Sequence, residues 1–484
     1  MRRVLAIVGV LAIAGAVDAE ADSAAQTRCG TPALLPALAS RPRIDASAVP
    51  LTANGDKLTR DGFGAGYTTK LTNNFAVKWR DPSVTDAEAQ LVADSLEKAW
   101  SKYIVELGHD VCTGCGTYRL NAYIARPADS PSIEFSGGYA WIDDEGYPFF
   151  VISRDVFELP RAAERVQAIA VHEFYHDVQF STGAFAWGEG EHGWFWEATA
   201  EWAAQETLPE LPDPFLFVGA LAVKSELPLY YYGDALGGDA VSGLHQYGAS
   251  LFFRYATQTL GDPALVVDAW KHGAPRAEPL ATIAAELPPD RELPALYGEF
   301  AAHAAVWDYP EPQRAFIVDS IAQYQQMYAA VDPIAARVPA EGIAMTTLVR
   351  PPYGYGYAVI ELARPATGRF EVEARISSSG AATLQGAVVY GAPGAATYEP
   401  LAIADGTTGS AQIDLPDDID VAYLVVSTIT DERVTGDPIP LAYRVTPVER
   451  DDVGAGCDAG GGGAGWLVLG ALVAPLAQRR RRPA

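Results

Sequence analysis

The spacing of apolar positions changes along this chain, and the changes divide it. Across Asn73 to Arg80, NNFAVKWR, apolar and polar residues alternate as they do on a strand. From Thr85 to Gly108 the period becomes helical, with Ala89, Leu91, Val92, Leu96, Ala99, Trp100, Ile104 and Val105 recurring on successive turns. Asp86 and Glu88 stand at its start, where acidic side chains suit the helix dipole. YRLNAYIA, from Tyr118 to Ala125, and GYPFFVIS, from Gly146 to Ser153, predict two more strands. The next helix is predicted from near Pro160, tolerated in a first turn, to about Phe180, where Ser181, Thr182 and Gly183 stop it. Further helical stretches run over 194–206, 248–260, 296–307 and 314–330.

After about Pro339 helical periodicity is absent. YAVIELA, RFEVEARI, LQGAVVYG and VAYLVVSTI are strand-like runs separated by Gly, Pro, Asp and Thr, so residues 340–448 predict an all-β module of sandwich type. Residues 72–335 predict a domain of strands and helices, which makes the fold class α+β. Residues 22–71 are rich in Ala and Pro without sustained periodicity and read as an extended leader or propeptide with no chemistry of its own.

The two ends concern location. Arg2 and Arg3, the apolar stretch Val4 to Val17, and small residues at Ala19 and Ala21 read as a signal peptide over 1–21, so the mature chain is expected to be exported. Residues 449–484 hold Cys457 at the head of CDAGGGGAG, a short apolar run from Trp466 to Ala477, and the arginines 479–482. That run is shorter than the roughly 20 residues that span a bilayer comfortably. Its order of features resembles the C-terminal sorting tag of myxobacterial surface proteins. The resemblance implies a transient membrane tether, processing near the cysteine, and a cell-surface (outer-membrane) or extracellular destination.

Charge excludes partners more than it names them. The chain has 484 residues and a formal charge of -26, which repels phosphate backbones, so no nucleic-acid partner is expected. The chain is expected to be a monomer. For an exported chain, Cys112 and Cys115 in VCTGCG read as a disulfide. Zinc binding by that pair would need two more ligands, and no suitably spaced pair supplies them. Cys29 lies near the mature N-terminus without a lipoprotein-like pattern before it.

The chemistry sits in His172-Glu173-Phe174-Tyr175-His176, an HExxH motif inside a predicted helix. A four-residue spacing puts both imidazoles on one face, about a turn apart, where they can share a zinc ion. Glu173 is rotated off that line yet near enough to take a proton from a metal-activated water. In a chain with seven histidines, such a motif on a patterned helix rarely arises by chance.

Two ligands leave a zinc site incomplete. Glu197, in WFWEATAE on the next predicted helix, is the best third ligand, with Ala198 and Ala200 beside it permitting close packing. Glu201 falls one turn later and suits a second-ring contact to a zinc-bound histidine. His192, in the glycine-broken GEGEHG, is the runner-up third ligand. The metzincin pattern fails because Gln179 and Thr182 stand where its glycine and histidine belong. Tyr247 and His245 in GLHQYGASLFF are candidate oxyanion donors, set against an ordinary capping loop. The strand Gly146 to Ser153 is a candidate edge for an extended substrate.

HExxH with a glutamate on a later helix is similar to the gluzincins, including the thermolysin-like and aminopeptidase families. HEFYHDVQF with WFWEATAEW resembles still more a group of myxobacterial metalloproteases, over about residues 72–330. The resemblance implies a zincin-like metallopeptidase domain, Zn2+ held by His172, His176 and Glu197, and Glu173 as general base and then acid. The expected activity is metalloendopeptidase action on a polypeptide substrate. The alternative is a non-catalytic surface adhesin with a structural zinc, for which a fourth protein ligand would be needed. Hydrolysis of a cell-wall amide is a third reading. For the β module, a packing role is set against a sugar platform of Tyr353, Tyr355 and Tyr357.

Overall fold

Burial on both faces explains the central strands of the N-terminal part. Every residue of Phe75–Trp79 and of Pro148–Ser153 is buried, the polar Lys78 and Ser153 included, so neither strand has the wet face that alternation along 73–80 suggests. The computed structural model describes residues 27–29, 55–56, 63, 66–110, 118–126, 128–130, 136–143, 146–186, 192–233, 241–328, 332–377, 382–430 and 437–449. The signal-peptide residues, Cys112, Cys115 and the tail with Cys457 lie outside these.

In chain order the first sheet contains β1 (Thr27–Cys29), β2 (Gly55–Asp56), β3 (Thr68–Leu71), β4 (Phe75–Trp79), β5 (Tyr118–Ala125), β6 (Ser136–Ile142) and β7 (Pro148–Ser153). Its order is β1-β6-β7-β5-β4-β3, with β2 pairing β5. β4, β5 and β7 run parallel to their neighbours among themselves, whereas β6 is antiparallel to β7 and β1 is parallel to β6. The strand 146–153 is therefore interior. The sheet ends in β1 and β3, and β1 covers the strand next to it, β6.

Helix α1 (Asp86–Trp100) starts with a capping box in which Thr85 and Glu88 satisfy each other's backbone N–H groups. It packs with α2 (Ala162–Thr182) on one face of the sheet, where Phe75, Val77, Phe150, Ile152 and Phe174 share one core. The opposite face carries a smaller cluster in which Phe63 stacks on Tyr123 at 4.0 Å, beside Tyr67 and Phe149. Parts of the expected leader thus belong to this layer: β1, β2 and β3 are strands of the sheet, and Phe63 packs on its face.

α3 (Gly193–Thr207) is buried on nearly every side, its polar Glu197, Thr199, Glu201 and Gln205 included. There follow α4 (Val218–Val223), α5 (His245–Gly248), α6 (Ser250–Leu260), α7 (Ala264–His272), α8 (Pro279–Glu286), α9 (Leu293–Ala304) and α10 (Gln313–Met327).

From Ile334 on, the described chain is β. One five-stranded sheet contains β8 (Ile334–Val338), β10 (Gly356–Ala363), β12 (Thr383–Tyr390), β13 (Thr397–Pro400) and β16 (Val421–Ile429). The other contains β9 (Ile343–Thr347), β11 (Arg369–Ile376), β14 (Ala402–Ile403), β15 (Thr408–Asp414) and β17 (Leu441–Pro447). Burial alternates strictly along β11, as in a sheet with one wet face. β10 is buried on both faces: Ala358, Ile360 and Leu362 join the sandwich core, while Tyr357 and Val359 join the core of the helical part. Tyr297 on α9 donates its hydroxyl hydrogen bond to the Tyr355 carbonyl. Tyr355 and Tyr357 are both buried and Tyr353 is half-buried, so this run serves to pack the two parts together, as the packing reading expects.

Candidate metal centre

The HExxH helix and its neighbour bring the predicted ligands together. On α2, His172 and His176 stand one turn apart with ring centroids 4.8 Å from each other. On α3, Glu197 places Oε2 at 3.2 Å from His172 Nε2 and 3.7 Å from His176 Nε2. Ala198, Ala200, Ala203 and Ala204 are all buried and let α3 lie close to α2. Both histidines, Glu173 and Glu197 are fully buried.

The second nitrogen of each imidazole is also held. His172 Nδ1 lies 2.9 Å from Glu201 Oε2, as the spacing on α3 predicts. His176 Nδ1 lies 2.6 Å from Gln179 Oε1. The Gln179 amide is fixed by its donor side, which reaches the Trp196 carbonyl at 3.0 Å and Thr199 Oγ1 at 2.9 Å. With a cation at the common centre, each ring would give its Nδ1 proton to that oxygen and turn its Nε2 lone pair to the cation. Sequence reasoning used Gln179 only to exclude a motif and missed this role.

A fourth atom able to bind a metal joins them. Cys29 Sγ lies 3.3 Å from His176 Nε2, and the ligand atoms of Cys29, His172, His176 and Glu197 all fall within 4.8 Å of one another. Four ligands at the roughly 2.0–2.3 Å of zinc bonds would sit about 3.3–3.7 Å apart at the corners of a tetrahedron. The separations of 3.2, 3.3 and 3.7 Å match three of those edges. Glu197 Oε1 is buried with no hydrogen-bond partner among the described residues, an arrangement a cation would relieve. Nothing local in the sequence marks Cys29, which is 144 positions from Glu173.

The charges are mutually dependent. Burial works against protonation of His172, but hydrogen bonds to Glu197 and Glu201 outweigh it and raise its pKa above the usual imidazole value. Burial works against ionisation of Glu197, but the two imidazoles prevail and lower its pKa. Asp177, beside His176, is pushed well above the carboxylate range by burial and then by the charge of Glu173.

The other candidates separate. Tyr247 is buried with its ring 6.1 Å from that of His172. His245, on the same short helix, has Tyr231 as its ring neighbour at 6.0 Å, and burial and then Lys224 lower its pKa to about 3. His192 caps α3 and places Nδ1 at 3.3 Å from the Ala186 carbonyl, outside the ligand cluster. Tyr232 is an aromatic neighbour that sequence reasoning missed. Its ring lies where a Cβ on Gly193 would meet it at 2.4 Å, at the start of the helix bearing Glu197.

A family model described as a family of unknown function, DUF6055, matches residues 67–434. The chain belongs to the DUF6055 family. The matched region contains the HExxH helix, Glu197 and Glu201 and leaves out Cys29. No curated protein matches this DUF6055 chain. Among solved structures, a family GH115 4-O-methyl-α-glucuronidase with specificity for decorated arabinogalactans is 11% identical over 60% of this chain, with a TM-score of 0.14. The match spans 39% of that structure's chain, and a similarity of this size carries no argument about fold or activity.

Proposed function

We propose that this DUF6055 chain is an exported zinc-dependent endopeptidase of gluzincin type, with a zincin-like domain over 72–335 and a β-sandwich packed against it. The observation that carries the reading is the convergence of His172 Nε2, His176 Nε2 and Glu197 Oε2 at separations that suit one tetrahedral cation. Glu173 is not among these ligands and faces the same centre.

Zinc held by His172, His176 and Glu197 would supply Lewis acidity and lower the pKa of water near it. Glu173 takes the proton from the attacking water and passes it to the leaving amine. Glu201 and Gln179 keep both imidazoles in the tautomer that presents Nε2. Tyr247, whose ring lies 6.1 Å from that of His172, is the preferred donor to the developing oxyanion. An extended polypeptide would add to the sheet at β6, the strand at the edge once β1 is withdrawn.

Cys29 favours a second reading, because it supplies the fourth protein ligand that a closed structural site in an adhesin requires. Against that reading stands the hydrogen bond that the same thiol donates to Glu173 at 3.4 Å, a contact that a sulfur deprotonated as a purely structural ligand could not make. The test is zinc content and casein cleavage by chains lacking residues 1–29, with Glu173 or with Glu173→Ala. The proposal requires zinc in both and cleavage only where Glu173 is kept. Equal cleavage by the two chains, or none by either, contradicts it. The N-terminal export signal and the C-terminal surface tag complete the proposal, and release of the chain into the medium of its native host tests them. Among the described residues no helix is long and apolar enough to cross a membrane.

A further inference from the structure

The reaction outlined above has no use for Cys29, yet Cys29 occupies its centre. The sulfur lies 3.3 Å from His176 Nε2 and donates a hydrogen bond to Glu173 Oε2 at 3.4 Å. It therefore stands between the ligand set and the carboxylate that handles the proton, where the attacking water has to be. Cys29 is 2% exposed, which closes this place to solvent.

The backbone that carries it blocks a second requirement. β1 pairs in parallel with β6, Thr27 opposite Ser136 and Cys29 opposite Gly138. At Gly138 that strand runs close over the HExxH helix: a Cβ there would lie 2.9 Å from Ile169 Cγ2 and 3.1 Å from Glu173 Cγ. The thiol thus enters from the residue in register with the strand position that overlies Glu173. The same three residues fill both the water's place and the edge that an extended substrate would use. They also lie outside the region that defines the family, 67–434.

We propose that residues 27–29 are a built-in inhibitor of this site, with Cys29 as a displaceable fourth metal ligand and β1 as a stand-in for substrate. The proposal rests on the metallopeptidase reading above. The full chain is latent, and activity follows removal of the segment or capture of the thiol by an alkylating or mercurial reagent that keeps it off the metal. A three-residue strand at a sheet edge is a small attachment, suited to release.

The experiment compares the full chain with Cys29→Ser and Cys29→Ser/Glu173→Ala, each loaded with cobalt(II) for spectroscopy and with zinc for casein cleavage. The full chain should show thiolate-to-cobalt charge-transfer absorption. Cys29→Ser should lose that band, keep the ligand-field bands of the remaining site, and cleave casein at least tenfold faster than the full chain. The double variant should bind metal and stay inactive. An unchanged charge-transfer band in Cys29→Ser, or casein cleavage equal to that of the full chain when both are active, overturns the inhibitor while leaving the peptidase intact. Loss of the band with no cleavage by any form, including a chain lacking residues 1–29, overturns the peptidase reading and the inhibitor with it. Loss of metal from Cys29→Ser overturns the displaceable ligand in favour of a structural one.

Discussion

Glu201 holds His172 by Nδ1 at 2.9 Å, one turn along the helix from the glutamate that faces the other nitrogen of the same ring. One face of α3 thereby sets both the position and the tautomer of that imidazole. Glu201→Ala is expected to weaken zinc binding by about 10–100-fold, since a ligand that loses its orienting partner is less basic and less well aimed. Competition with a chelator of known affinity measures this. An unchanged affinity would mean that Glu201 only fills space.

The close passage of β6 over α2 makes Gly138 sensitive. A Cβ there would meet the Val151 carbonyl at 2.8 Å as well as Ile169 and Glu173, and backbone cannot yield as a long side chain can. Gly138→Ala should destabilise the fold by about 1–3 kcal/mol, as overpacking does in a close-packed interior. Gly243→Ala, whose new Cβ would meet nothing nearer than 3.9 Å, is the control and should stay within about 0.5 kcal/mol. Denaturant unfolding of the two variants decides the matter, and equal losses would contradict it.

Two buried histidines predict acid sensitivity apart from the metal. Burial lowers the pKa of His109 to about 3, with Lys271 adding to it, and burial lowers His245 to about 3 with Lys224 adding to it. In the unfolded chain both return to about 6.5, so between those values the unfolded state binds more protons. Their contribution is fully present above pH 6.5 and is lost as pH falls toward 3. At pH 5 the loss is on the order of 2 kcal/mol for each histidine. Urea unfolding of the metal-free chain at pH 5 and pH 7.5, with His245→Gln for comparison, checks this. The variant should show the smaller pH dependence, and an equal dependence would contradict the assignment.

Local periodicity carried much of the architecture. Tyr118–Ala125 was legible to the residue because Leu120, Ala122 and Ile124 recur at every second position, and the HExxH helix because both its face and its glycine stop are local signals. β6 was not, since Gly137 and Gly138 interrupt any alternation and look like loop. The short helices Ala264–His272 and Pro279–Glu286 give too few turns to establish a period. Strand order is a property of the sheet rather than of any strand, which is why 146–153 looked like an edge and is interior. His172, His176, Glu197 and Glu201 were readable because helical spacing fixes which side chains share a face. Cys29 was not, because its partners reach it only through pairing of distant strands.

Zinc X-ray absorption on the zinc-loaded full chain tests the central claim most directly. The account predicts two imidazole nitrogens, one carboxylate oxygen at about 2.0–2.2 Å and one sulfur at about 2.3 Å, with the sulfur alone vanishing in Cys29→Ser. A shell of oxygens only, a shell without imidazole, or a chain that takes up no zinc would contradict it.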